Sequence, residues 1–292
     1  MCRPNSNSSS NDGLRLGFIG FGTIAYAIAQ GIAAQQEVPI KSISVSRRSV
    51  RYSTSYAKEN PGLVTIHDDP KEIVDASPDL VFICVLPAMV HDVLQQISFP
   101  QAKTRPTLVS LVAGKSIQEL STSLPGVDVA RIVKMICTPS IAQHEGISLL
   151  LRESQVTTKD DKLSKLLSAM GGFQDCRDEQ EMSVLMTGAC VMGPVYALMQ
   201  AHIEWMEDQN VPTEVAHTVV TKQYAGIIQD TLEKHNAKES KEDTRVKQLI
   251  AEQTPNGINE QAKDNLTKLG GVSSYRRVLD LMLHRLEGRE SK

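Results

Sequence analysis

The sequence has no CxxC pair and no zinc-type spacing; its five cysteines are Cys2, Cys84, Cys137, Cys176 and Cys190. It therefore offers no metal site, and the pattern fits reduced thiols in a reducing, cytoplasmic compartment. An excess of one charge is also lacking. Lys and Arg number 31 against 34 Asp and Glu, for a net charge of −3, which argues against binding nucleic acid through bulk charge. No run of about 18 apolar residues stands out, so no membrane span is expected. No internal repeat is visible. The first thirteen residues, MCRPNSNSSSNDG, contain no apolar segment. They do not read as a secretory signal, and residues 1–13 are expected to form a disordered tail. The remaining composition is ordinary for a globular protein, 41% hydrophobic and 22% charged over 292 residues, with room for two domains.

The chain alternates strand and helix signals from residue 14 to about 172. Leu14 to Ile19 is a short apolar run that ends in glycines, the mark of a buried parallel strand. Ala25 to Ala34 is rich in small apolar residues and predicts a closely packed helix. Ile40 to Val45 alternates as a second strand. Tyr52 to Glu59 predicts a helix, Val64 to Ile66 a strand and Pro70 to Ala76 a short helix. Leu80 to Leu86 is the most continuous apolar run of this half and predicts a central strand buried on both faces. A helix follows over Met89 to Ile97. Thr107 to Val112 and Val129 to Ile136 predict strands around a helix at Ile117 to Leu124, and Gly146 to Leu151 predicts another strand. This rhythm predicts an α/β fold, a Rossmann-type doubly wound and mainly parallel sheet over residues 14–172. From Glu179 onward the pattern is helical only, which predicts an all-helical domain over residues 173–292. Within it, Leu185, Met192, Val195, Met199, Ile203 and Met206 fall at helical intervals. They predict one long helix buried by several neighbours, kinked at Gly193-Pro194.

The segment Gly20-Phe21-Gly22-Thr23-Ile24-Ala25 sits directly between the first strand and the first helix. Gly20 suits a tight turn, Gly22 lets backbone approach a pyrophosphate, and Ala25 permits close packing of helix on strand. The N-terminus of the helix then offers N–H groups and a favourable dipole to the phosphates. All six residues are candidate cofactor contacts. Where an acidic residue at the end of the second strand would hold the ribose of NAD, this chain has Ser46-Arg47-Arg48-Ser49. Guanidinium groups and hydroxyls suit a 2′-phosphate, so Ser46, Arg47 and Arg48 point to NADP, with NADPH preferred over NADH. Val85, Leu86 and Pro87, after the central strand, and Val112, Ala113 and Gly114, after the next one, lie at the expected ligand edge.

These residues resemble the pyrroline-5-carboxylate reductase family. The resemblance runs through Gly17-Phe18-Ile19-Gly20-x-Gly22 and the small-residue helix leading to Gly31. It continues through Val81-Phe82, Pro87, Ser110, Ala113-Gly114, Met135-x-x-Thr138-Pro139 and Glu145-Gly146. Gly193-Pro194-x-Tyr196 and Thr254-Pro255-Asn256-Gly257 extend it, more thinly, into the helical part.

The resemblance implies a reductase that passes hydride from a nicotinamide cofactor to the C=N bond of a small imine carboxylate, 1-pyrroline-5-carboxylate, to give L-proline. It also implies a helical dimerisation domain, and thus a homodimer or higher homo-oligomer. The turn from Thr254 to Asn259, at a helix N-terminus, becomes the expected carboxylate site, with Thr254 and Asn259 as its side-chain donors. The chain departs from the family pattern at Leu86, at Ile136-Cys137, at Val191-Met192 and at Ile258-Asn259. The last pair replaces two hydroxyl donors, and a site that binds through hydrogen bonds changes specificity when its donors change. Two alternatives therefore stand beside the first reading. One is a reductase of another imine or a keto acid, and the other is an inactive NADP-binding sensor or scaffold.

Overall fold

The computed structural model describes residues 13–47, 50–97, 106–124, 127–153, 161–233 and 244–289. The chain divides into two compact units, Met1–Met186 and Thr187–Lys292. The first is built on strands β1 (Leu14–Ile19), β2 (Ile40–Ser46), β3 (Val64–His67), β4 (Leu80–Ile83), β5 (Thr107–Ser110), β6 (Ile132–Ile136), β7 (Ser148–Arg152) and β8 (Phe173–Asp175). Helices α1 (Thr23–Ala34), α2 (Val50–Glu59), α3 (Pro70–Asp75), α4 (Val90–Gln95), α5 (Ile117–Thr122) and α6 (Lys162–Ser168) connect them. The strand order is β3-β2-β1-β4-β5-β6-β7-β8. Neighbouring strands pair in parallel except β6 with β7, so β7 and β8 run opposite to the other six. This is the doubly wound Rossmann-type sheet that the strand and helix alternation predicts. The order reverses between β1 and β4, and ligands bind at such a switch point, outside the carboxyl ends of the strands.

Both faces of the sheet are covered, which is why its strands read as apolar runs. Leu80 and Phe82 of β4 join the core on the α1 and α2 side, with Leu16 and Phe18 of β1. Val81 and Ile83 join the opposite core, with Ile19 and the apolar residues of α3, α4 and α5. Phe18 and Phe82 stack with ring centroids 4.7 Å apart. At Gly17 a Cβ would lie 2.7 Å from the Ile73 side chain, so α3 packs directly on β1.

Several elements differ from expectation. β4 stops at Ile83 rather than Leu86, because its partner registers end there, at Ile19 on one side and Ser110 on the other. Residues Val129–Arg131 form a 3₁₀ turn ahead of β6 rather than its first residues. The sheet gains a strand, β8, beyond residue 172, and the first unit runs on to Met186.

The second unit holds α8 (Met192–Asp208), α9 (Thr213–Glu233), α10 (Arg245–Ala251), α11 (Ile258–Lys268) and α12 (Gly271–Leu286), while α7 (Glu179–Ala189) crosses the division. The expected single kinked helix is two helices, α7 and α8. The chain breaks at Cys190 and Val191, which places Pro194 in the first turn of α8, where a missing N–H costs little. By length and composition alone, an 18-residue window within the stretch 179–208 is apolar enough to cross a membrane, with a mean hydropathy of 1.6. The break divides that stretch, and Glu179 and Asp208 stand at its ends.

The expected burial of this stretch is not met within one chain. The described core of the unit is small, made of Ile203, Ala216 and Val220 with Met199, Met206, Val211 and Tyr224 packed against it. Tyr196 and Trp205 are more than half exposed.

Candidate functional site

The turn after β1 is built by two glycines with different tasks. Gly20 has φ +84°, and a Cβ there would lie 2.4 Å from the carbonyl oxygen of Cys84. Its N–H donates to Ser46 Oγ at 2.8 Å. Gly22 is the N-cap of α1, at φ −89°, and no side chain caps the helix. A Cβ at Gly22 would meet nothing within 4 Å. Open space thus lies beside the bare backbone at the N-terminus of a 12-residue helix. A pyrophosphate fits this arrangement, since it needs both close backbone approach and unclaimed N–H donors.

The other motif residues divide by burial. Phe21 and Ala25 are fully buried. Phe21 packs against the rings of Phe18, Tyr26 and Tyr56. These two residues shape the turn and have no side chain to offer a ligand. Ile24 is half-buried against the core, whereas Thr23 is exposed. Thr23 Oγ1 lies 3.2 Å from the hydroxyl of Tyr52 on α2. Sequence reasoning did not single out Tyr52, and no local signal marks it; packing of α2 beside α1 places it there.

Beside the turn lies a cavity of about 460 Å³, lined among others by Ile19, Gly20, Ser46, Arg47, Asp68 and Val85. It opens at the carboxyl ends of β1 to β4, next to the switch point. Ser46 is buried, and its hydroxyl accepts the Gly20 N–H, so it positions the turn rather than standing open to a phosphate. Arg47 is half-exposed and its Nε pairs with Asp68 Oδ1. Arg48 lies outside the described residues. Asp68 and Asp69 stand between β3 and α3. Only Asp69 caps α3, accepting from the Lys71 N–H at 2.8 Å, whereas Asp68 turns to Arg47.

On the other side of the switch point, Val85 lines the cavity, Leu86 is 69% exposed and Pro87 opens a 3₁₀ turn. Val112 is buried, with its N–H donating to Ser110 Oγ, and it can present only backbone. Ala113 is exposed, and Gly114 is exposed with φ +69°. Burial pushes the Cys84 thiol far up and that of Cys137 to about 12, which disfavours the thiolate form of both. His144 takes a left-handed conformation, and its Nε2 lies 2.8 Å from the Gly31 carbonyl oxygen, a contact that fixes its loop on α1.

Thr254 and Asn259 lie in the second unit, both exposed, on either side of Gly257, the N-cap of α11. The turn closes through a Gly257 N–H bond to the Thr254 carbonyl at 2.8 Å. A residue that sequence reasoning passed over, Glu260, sits in the first turn of α11 and accepts the Asn256 N–H at 2.7 Å. A carboxylate of the chain itself thus takes one of the donors at this helix end.

The strand order and glycine turn define the first unit as a Rossmann-type domain. A family described as coenzyme F420-dependent NADP oxidoreductase matches residues 15–114, from β1 to the loop after β5. The chain is 28% identical over 216 residues to pyrroline-5-carboxylate reductase 3 of Danio rerio, covering 73% of this chain and 72% of that protein. It is 27% identical over 188 residues to pyrroline-5-carboxylate reductase 2 of Homo sapiens, covering 64% of this chain and 57% of that protein. In fold it matches the NADP-bound pyrroline carboxylate reductase of Plasmodium falciparum, with a TM-score of 0.75 at 18% identity, over 95% of this chain and 98% of that one. It also matches a pyrroline-5-carboxylate reductase from Coxiella burnetii, with a TM-score of 0.77 at 20% identity, over 96% of this chain and 100% of that one. Together these matches show a chain similar in sequence to pyrroline-5-carboxylate reductases at 27–28% identity, with a fold that solved pyrroline-5-carboxylate reductases share.

Proposed function

We propose that this chain is an NADPH-dependent reductase of the C=N bond in 1-pyrroline-5-carboxylate, with L-proline as product. The observation that carries the reading is the open, uncapped start of α1 at Gly22 beside the switch-point cavity, in a chain whose relatives carry that activity in their names. Gly20 to Ala25 would hold the pyrophosphate through backbone N–H groups, and Arg47 with Arg48 would hold the 2′-phosphate. Val85 to Pro87 and Val112 to Gly114 would flank the nicotinamide ribose. The bound nicotinamide supplies hydride to a carbon that is already electrophilic. The protein's remaining task is alignment, which the rigid ends of β1 and β4 are suited to perform. Thr254 and Asn259 are proposed to hold the substrate carboxylate.

The helical unit supports a homodimer in this reading. Trp205, Ile227, Ile228, Leu269 and Leu281 are all more than half exposed in one chain, an apolar surface that a second copy would cover.

Purified protein given 1-pyrroline-5-carboxylate should consume NADPH and form proline. Binding of NADPH without turnover of this imine would refute the substrate and keep the cofactor. One observation favours a second reading, in which another imine is reduced. Glu260 brings a negative charge to the turn that should receive the substrate carboxylate. Turnover of cyclic imines lacking a carboxylate, in preference to 1-pyrroline-5-carboxylate, would establish it.

A further inference from the structure

We propose that Asp68 sets the cofactor preference of this chain, by holding the Arg47 guanidinium and placing a carboxylate where a 2′-phosphate must dock. The proposal rests on the reading of the switch-point cavity as the adenosine end of a dinucleotide site. A Rossmann domain that takes NAD carries its ribose-binding acid at the end of the second strand. Here that position holds Ser46 and Arg47, which by itself points to a phosphate. The fold supplies the missing acid from the next strand. Ser46 pairs in register with His67, and the Arg47 N–H donates to the His67 carbonyl at 2.8 Å. Asp68, one residue beyond β3, is thereby set beside Arg47, and both line the same cavity.

The pair suits a selector. The Arg47 and Asp68 side chains are 50% and 75% exposed, so the bond is screened and weakly held. Asp68 engages Nε, which leaves the terminal guanidinium nitrogens to meet a phosphate. An unphosphorylated ribose finds in Asp68 an acceptor for its hydroxyls. A 2′-phosphate finds Arg47, but also the negative charge of Asp68 at close range. The two effects offset one another, and the native chain should discriminate only modestly between NADPH and NADH.

The test is calorimetric titration of the full chain with NADPH and with NADH. Asp68→Asn should raise the affinity ratio of NADPH to NADH about tenfold at low salt, and the gain should shrink as salt screens the lost repulsion. Asp68→Ala should shift the ratio in the same direction, and Asp68→Glu should keep the native ratio. Thermal unfolding checks that each variant is folded, and Asp68→Ala serves if Asp68→Asn is not. A native ratio in both folded variants that lack the charge overturns the proposal. Failure of the unaltered chain to bind either dinucleotide overturns the site reading itself, and the unaltered protein alone reveals that outcome.

Discussion

Ser46 Oγ accepts the backbone N–H of Gly20 at 2.8 Å, and this bond ties the end of β2 to the turn after β1. Both sides of the cavity mouth depend on it. A hydroxyl that the sequence offers to a ligand is used instead to hold the ligand's cradle. Ser46→Ala should leave a part-buried N–H without its acceptor and lower stability by about 1–2 kcal/mol. Dinucleotide affinity should fall with it, and Ser46→Thr should recover most of both. Urea unfolding and cofactor titration on the same variants check this. Unchanged stability in Ser46→Ala would show that the bond does not hold the turn.

The two glycines of the turn should separate stability from binding. Gly20→Ala combines a φ of +84° with a Cβ 2.4 Å from the Cys84 carbonyl oxygen, and backbone cannot swing aside as a side chain can. It should cost more than about 2 kcal/mol. Gly22→Ala meets open space at an ordinary φ, so stability should change by less than about 1 kcal/mol. Its Cβ would stand where a pyrophosphate approaches, and NADPH affinity should drop about tenfold or more. Equal losses of stability in the two variants would contradict this division.

Lys134 on β6 is buried, with 9% of its surface exposed, and its Nζ pairs with Glu179 Oε2 on α7. Glu179 Oε1 also accepts the Ile117 N–H of α5 at 3.1 Å. Glu179→Gln keeps that second contact but strands the lysine, and should cost about 2 kcal/mol. Combining it with Lys134→Met should cost less than the sum of the two single changes. Additive losses in a double-mutant cycle would mean that the pair is not coupled.

Acid should weaken the start of α5. The Ser116 N–H, at 2.8 Å, is the main cause that holds Glu119 down at about 2, aided by Lys115 and the Ser116 hydroxyl. The folded value lies below the ordinary 4.5, so the contribution is complete above about pH 4.5 and is lost as pH falls towards 2. Glu119 is exposed, so solvent screening limits the effect to a few tenths of a kcal/mol. Glu119→Gln should be slightly less stable than the native chain at neutral pH and converge with it in acid. A constant gap across the titration would rule out this linkage.

Legibility followed sequence distance. The Gly20 to Ala25 turn and its flanking strand and helix were readable because φ preference and apolar periodicity act over a few residues. The apolar run predicts β4 three residues too long, since Cys84 to Leu86 stay apolar after the strand partners run out. β8 carries no clear strand signal, because Phe173 to Asp175 is short and, among the described residues, pairs with β7 alone. The apolar pattern of α7 and α8 predicts burial, because apolarity reports what must eventually be covered, not whether one chain can cover it.

Composition and pattern alone determined the alternating α/β half, the helical half and the glycine turn. Each follows from local backbone preference and from the repeat of apolar residues at strand or helix spacing. Only the tertiary structure decided the strand order and the reversed β7. It also decided the partners of the polar residues. Asp68 meets Arg47 across 21 residues, and Glu179 meets Lys134 across 45. Such pairs form only when the fold brings distant elements side by side, and no pattern within either segment encodes the meeting.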